Sequence, residues 1–107
     1  MSFGKATRII NPRVREIVAV KPFIIKALWS DGKVRMTDFG IFLFEYFQKE
    51  ESIYFKILNE NTFSLAKTDG RTIYWEDMTQ VRDYDGSFIP APLDFDPDVL
   101  FEQSVLE

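Results

Sequence analysis

The sequence predicts an α+β fold, with a small antiparallel sheet built from two Asp-Gly hairpins and short helices packed against it. Asp31-Gly32 and Asp69-Gly70 each lie between two runs of strand-forming residues. Asp-Gly pairs favour the positive φ angles that a tight hairpin turn requires. The third observation is the continuous apolar run that begins at Ile41, which is too unbroken for a half-exposed strand and predicts a buried helix.

The remaining elements follow from local signals. The β-branched run 17–20 predicts a strand, and apolar residues at three- and four-residue spacing predict a short helix over 52–58. The polar segment 76–92, with its glycine and two prolines, is predicted to be a long loop. Asp96 before Pro97 predicts the start of a C-terminal helix over 96–104. With 107 residues, the chain is predicted to form a single domain, 1–107.

The composition excludes much of enzyme chemistry. The chain has no cysteine and no histidine. It therefore lacks thiolate nucleophiles, the commonest general base and the commonest ligand of zinc, iron and copper. Its five glycines are scattered singly, so no phosphate-binding loop is present. We predict that the protein is not an enzyme and takes no cofactor.

No targeting or membrane signal is recognisable. The most apolar stretch, 40–47, is eight residues long and contains Glu45, whereas a membrane-spanning helix needs about 20 residues. The first eleven residues lack the apolar core of a secretory signal. The sequence therefore predicts a cytoplasmic protein with no membrane association.

Charge is distributed unevenly along the chain. Residues 1–35 carry eight basic and two acidic residues, a net charge of +6, whereas residues 73–107 carry one basic and nine acidic residues, a net charge of −8. This polarity fits two separate binding surfaces. The alternative is that the two ends of the chain pack near each other and neutralise their charges.

One basic cluster lies in segment 1–14 and just beyond it, where the chain is predicted to form a basic N-terminal arm or an outer strand. Basic arms bind phosphate backbones, so nucleic-acid binding is an alternative function, although no nucleic-acid-binding module is recognisable. Trp29 and Trp75 could stack on a base, but their hairpin positions favour the core. The predicted partner-binding residues are Lys5, Arg8, Arg13 and Arg15.

Two acidic clusters have metal-site interpretations that the sequence does not favour. Aligning Gly86 of Asp83-Tyr84-Asp85-Gly86 with the glycine of a calcium loop puts Val81 and Pro92 at the two most important ligand positions. The cluster Asp94, Asp96 and Asp98 could serve a metal-assisted hydrolase. A strand end, a helix cap and an acidic first turn explain all three residues without a metal, and no metal site is predicted.

The order of several motifs resembles a family of small bacterial proteins, domain of unknown function 2442. The resemblance spans some 85 residues, and the motifs together are more specific than any one alone. The chain departs from the family in the inserted segment 76–92 and in a longer helix around 42–50. The matching segments are 17–22, 29–35 with Asp38, 58–63, 70–75 and 93–102.

The resemblance implies a small α+β fold and no assigned activity. It also implies a partner, because similar proteins are often encoded beside small proteins of the domain of unknown function 4160 family in a toxin–antitoxin-like arrangement. We therefore predict a non-enzymatic protein-interaction module, antitoxin-like, that binds another small protein. A homo-oligomer is left open as an alternative.

Overall fold

The computed structural model describes residues 11–47 and 53–107, which form two antiparallel sheets and short helices. The α+β class predicted from the sequence is confirmed. Among the described residues no helix is long and apolar enough to cross a membrane. The elements in chain order are β1 (Val14–Lys21), β2 (Ile24–Trp29), β3 (Val34–Asp38), α1 (Phe39–Phe47), a 3₁₀ helix (Ile53–Ile57), α2 (Glu60–Phe63), β4 (Lys67–Thr68), β5 (Ile73–Arg82), β6 (Phe88–Asp94), α3 (Pro97–Gln103) and β7 (Val105–Leu106).

The first sheet has four strands in the order β1-β2-β3-β7. Leu28 of β2 lies opposite Val34 of β3, and the turn between them contains Asp31-Gly32, so the first predicted hairpin is confirmed. The Asp31 carboxylate accepts the backbone N–H of Lys33 at 3.0 Å, which closes the turn locally. Of segment 1–14, residues 1–10 lie outside the described residues, and Val14 begins β1.

The second sheet has three strands in the order β4-β5-β6. Thr68 pairs with Ile73 across Asp69-Gly70, so the second predicted hairpin is also confirmed. The predicted long loop 76–92 is wrong, because β5 extends to Arg82 and β6 begins at Phe88. The prolines of this segment are tolerated because β6 is the last strand in its sheet, where a missing N–H need not break a ladder.

One core joins the two sheets and the helices. The buried side of the first sheet contributes Ile25, Ala27 and Trp29 at alternate positions, as the period of a half-buried strand requires. Phe39, fully buried, lies at the centre and makes edge contacts with other rings at 5.4–5.7 Å. The rings around Phe39 are those of Phe42, Phe63, Trp75 and Phe95. The cluster thus contains four of the 11 phenylalanines.

The helices are short, and each has a local cause. α1 buries Phe42 and Leu43 but exposes Ile41 and Phe44, so the prediction of a buried helix holds for only one of its sides. Segment 60–63 is the single helical turn α2, because the Asn59 side chain accepts the N–H groups of residues 61 and 62. The predicted C-terminal helix 96–104 is confirmed as α3, with Asp96 as its N-cap and Ser104 as its C-cap.

Candidate protein-interaction surface

Two of the four predicted partner-binding residues lie within the described part of the chain. Lys5 and Arg8 lie outside it. Arg13 is half-buried, and its guanidinium donates to the carbonyl oxygen of Pro12 at 2.8 Å. Arg15 is exposed at a register shift of β1, where the residue has no partner on β2. The structure therefore gives the two arginines different environments.

The basic and acidic parts of the chain meet in the fold. Arg13 lines the same surface depression as Asp94, Asp96 and Asp98, a polar hollow of about 430 Å³. At the other end of the chain, the Lys26 ammonium lies 2.8 Å from the carboxylate of the terminal residue, Glu107. Lys26 and Glu107 therefore fit the alternative of neighbouring, mutually neutralising ends. Arg13 shares a hollow with the aspartates but is in none of the described ion pairs, so for Arg13 the two-face hypothesis stays a prediction.

The C-terminal aspartates have structural roles. The Asp96 carboxylate accepts the backbone N–H of Asp98 at 2.8 Å and caps α3, and Pro97 occupies the first helical turn. Asp94, at the end of β6, lies 3.4 Å from the Arg71 guanidinium. Within residues 11–47 and 53–107 no group of three or more acidic side chains is arranged to hold a metal ion.

The two tryptophans belong to the core. Both Trp29 and Trp75 have 1 % of their surface exposed, so neither presents a face to a nucleic acid. The prediction that favoured the core for both residues is confirmed. With the tryptophans inside and Arg13 close to aspartates, a different surface has to be considered.

The largest departure from the sequence prediction is a projecting two-stranded ribbon. Beyond a register shift between Trp75 and Thr79, β5 and β6 pair only with each other, from Thr79 opposite Ala91 to Arg82 opposite Phe88. We call residues 79–91 the β5–β6 arm. None of its apolar residues with a described side chain belongs to the core or packs against it.

The arm ends in the turn Asp83-Tyr84-Asp85-Gly86, the segment that resembled part of a calcium loop. The N–H of Asp83 donates to the carbonyl oxygen of Ser87 at 2.8 Å, and Gly86 has a φ of +89°, which a side chain would strain. The hydroxyl of Ser87 donates to the Asp85 carboxylate at 2.6 Å, and its N–H donates to the same oxygen at 2.9 Å. These two bonds lower the pKa of Asp85 and favour its charged form.

Large apolar side chains of the arm are exposed on both of its faces. Tyr84 at the tip is fully exposed, and Phe88 and Ile89 are 58 % and 44 % exposed. Since neighbouring residues of a strand point to opposite sides, Phe88 and Ile89 lie on different faces. The Arg82 guanidinium lies over the Phe88 ring at 5.3 Å, which leaves the other side of that ring open.

The β6 edge of the arm, which faces away from β5, offers few backbone N–H donors. Because Asp83 and Ser87 form a hydrogen-bonded pair, the alternation of an antiparallel ladder makes Gln80 and Pro90 a pair without such bonds. The nitrogen of Pro90 therefore faces away from β5, where it has no hydrogen to offer. Strand addition is therefore disfavoured at the β6 edge of the arm, where a partner would contact mainly side chains.

The signal for this arm was present in the sequence. Asp85-Gly86 is the same turn dipeptide that predicted the other two hairpins, and Thr79–Arg82 and Phe88–Ile89 flank it with strand-forming residues. Pro90 and Pro92 concealed the signal, because prolines inside a run argue against a central strand but not against an edge strand.

Comparison with known proteins finds no matching family model, no similar curated protein and no similar solved structure. The resemblance to domain of unknown function 2442 thus stays a prediction from the motifs, and the function has to be argued from the surface itself.

Proposed function

We propose that this chain is a non-enzymatic protein-interaction module of the cytoplasm whose docking element is the β5–β6 arm. The observation that carries the proposal is the exposure of Tyr84, Phe88 and Ile89 on a ribbon that contributes nothing to the core. Exposed apolar side chains grouped together are typical of interaction sites, and tyrosine and phenylalanine are enriched there.

The architecture of the arm supports docking into a cleft. Its apolar side chains face both sides and the tip, so a flat partner surface would cover only part of them. An isolated two-stranded ribbon is marginally stable in water, and a partner that encloses the arm would stabilise it. The charged groups at the tip, Asp83 and Asp85 beside Arg82, would fix orientation and affect the association rate more than the affinity.

The resemblance described above suggests which partner to test first, a small protein of the domain of unknown function 4160 family. An antitoxin-like role would require the arm to insert into that protein. Arg15, exposed on β1, remains a candidate for a second contact, whereas Arg13 is close to the aspartates at the start of α3.

The test places a photo-reactive phenylalanine analogue at position 84 in the full-length chain and, as a control, at Leu65, which is also exposed. We expect a saturable cross-link to one protein from position 84 and none from position 65. Binding to that purified protein is then measured by calorimetry for Phe88→Ser and Leu65→Ser. Loss of binding in the first variant alone supports the proposal; equal cross-linking from both positions, or equal binding of both variants, contradicts it.

A further inference from the structure

The four-stranded sheet has one face that no described helix covers. Along β2, Ile25, Ala27 and Trp29 point into the core, so Ile24 and the other alternate residues point outward. The buried residues of α1, the 3₁₀ helix, α2 and α3 all belong to the core cluster on the inner side. In the described part of the chain, the outer face is therefore open.

The residues that surround Lys26 at the centre of this face are apolar. Leu28 lies opposite Val34 on the neighbouring strand, and Met36 lies opposite Val105 of β7. Val105 is 58 % exposed and Ile24, further along β2, is 37 % exposed. These residues form a continuous strip across three strands, and no helix in the described part of the chain covers it.

The charges on the face are of both signs. Lys26 stands in the middle row and is paired with Glu107 at 2.8 Å. Glu16 and Lys21 lie near the two ends of β1, opposite Leu28 and Ile24 respectively, and thus on the same outer face. Both are exposed, and neither makes an ion pair with any described residue.

We propose that this face binds the same face of a second copy of the chain, related by a two-fold axis that lies between the sheets and across the strands. Such an axis reverses the strand direction, so Glu16 of one copy lies opposite Lys21 of the other, and the pair occurs twice. The apolar strips meet at the centre. Glu107 neutralises Lys26, which would otherwise face its own copy across the axis.

A second copy suits the face better than a strongly charged partner, because the outward charges of the strand pairs and Glu107 nearly cancel: Lys21 and Lys26 are basic, and Glu16, Asp38 and Glu107 are acidic. Pairing along the sheet edges is less favourable. β1 is interrupted by two register shifts, and β7 is two residues long. Four strands span only about 20 Å, so the area that the face can bury is smaller than that of a standard interface. The dimer is therefore expected to be weak and to form in a concentration-dependent way.

The experiment is sedimentation equilibrium of the full-length chain over a wide range of concentrations. We expect the average mass to rise from the chain mass of 12.6 kDa towards twice that value. Glu16→Lys and Lys21→Glu should each weaken association by about tenfold or more, because each places like charges opposite each other twice. The double variant Glu16→Lys/Lys21→Glu restores opposite charges and should recover association.

Melting temperatures equal to that of the unmodified chain, measured at concentrations at which both are monomeric, would verify that these surface variants fold. Phe88→Ser, on the β5–β6 arm, is the matched control and should leave the dimer unchanged. A chain that stays monomeric at every concentration, or a dimer that the single variants do not weaken, overturns the proposal. A double variant that fails to recover association also overturns the proposal. The exchange of charges restores attraction only if Glu16 of one copy lies opposite Lys21 of the other.

Discussion

Trp75 donates its indole N–H to the carbonyl oxygen of Phe63 at 3.2 Å, and both side chains are buried. Phe63 ends α2, and its carbonyl oxygen also accepts the Ala66 N–H at 3.2 Å, so the indole supplies a second hydrogen bond to the end of the helix. The same indole lies against Phe39 and Phe95 in the aromatic cluster. A strand of the second sheet is thereby tied to a helix and to the centre of the core.

Replacing Trp75 should therefore mainly affect stability. Trp75→Ala is expected to lower the free energy of unfolding by roughly 3–5 kcal/mol, because it leaves a cavity in the core. Trp75→Phe keeps much of the ring but removes one of the two hydrogen bonds to the Phe63 carbonyl, which still accepts the Ala66 N–H, at a cost of about 1 kcal/mol. Urea denaturation measures both values. A stability equal to that of the unmodified chain would show that the ring does not support the core.

Asp96→Ala should remove the cap of α3 and cost about 1 kcal/mol. Asp94→Ala is the control, because its contact with Arg71 is exposed and should contribute between nothing and about 1 kcal/mol. Both values come from thermal or urea unfolding. Micromolar binding of magnesium, manganese or calcium that disappears in Asp96→Ala would instead assign this residue to a metal site.

Gly32 and Gly40 should respond oppositely to alanine. Gly32 has a φ of +82°, so an added side chain is strained there by about 1–2 kcal/mol. At Gly40, in the first turn of α1, a new Cβ would lie 3.3 Å from the Asp38 carboxylate, which accepts the Ile41 N–H and has to shift slightly, so alanine should gain less than the full helix preference of about 1 kcal/mol. Comparison of the two unfolding midpoints tests the assignment, and equal effects would contradict it.

Acid should weaken the first hairpin through Asp31. Burial opposes its ionisation, but the hydrogen bonds from the Arg35 guanidinium and the Lys33 N–H outweigh burial and lower the pKa. An unfolded aspartate titrates near about 3.9, so this stabilisation is present above that pH and is lost as pH falls through the lower folded value. Asp31→Asn should cost roughly 1–3 kcal/mol at neutral pH and much less at the lower pH. Carboxyl titration by NMR would contradict this if the midpoint of Asp31 were raised.

Charge reversal should change the stability by different amounts at the two arginines near the start of β1. Arg13→Glu puts a negative charge beside Asp94, Asp96 and Asp98 and should lower stability by roughly 1 kcal/mol. Arg15→Glu changes an exposed residue without an ionic partner among the described residues, and should stay within about 0.5 kcal/mol. Thermal unfolding at low and high salt measures both, and the Arg13 effect should shrink with salt.

The elements that could be predicted were those with a local cause. Asp31-Gly32 and Asp69-Gly70 fix turn geometry within a few residues, and Asp96-Pro97 fixes a helix start, so each was readable from the chain alone. The α2 turn was missed because Asn59 indicates a cap only when a longer helix is expected to follow.

The surfaces could not be predicted, because they depend on which elements meet. Arg13 and Asp96 are distant in sequence, and only the fold places them around one hollow. The open face of the first sheet also depends on how the elements assemble. The alternation of β2 indicated two faces, but not which of them the helices would leave uncovered.

Pro90 also affects how the protein behaves when concentrated. An exposed ribbon with Phe88 and Ile89 would ordinarily template the addition of identical strands, since fibril growth needs an N–H donor at every second edge position. Pro90 and, two residues further on, Pro92 remove such donors from consecutive positions of the open edge. The two prolines thus disfavour strand addition at the β6 edge of the arm, whereas the β5 edge keeps the outward N–H groups of Gln80 and Arg82.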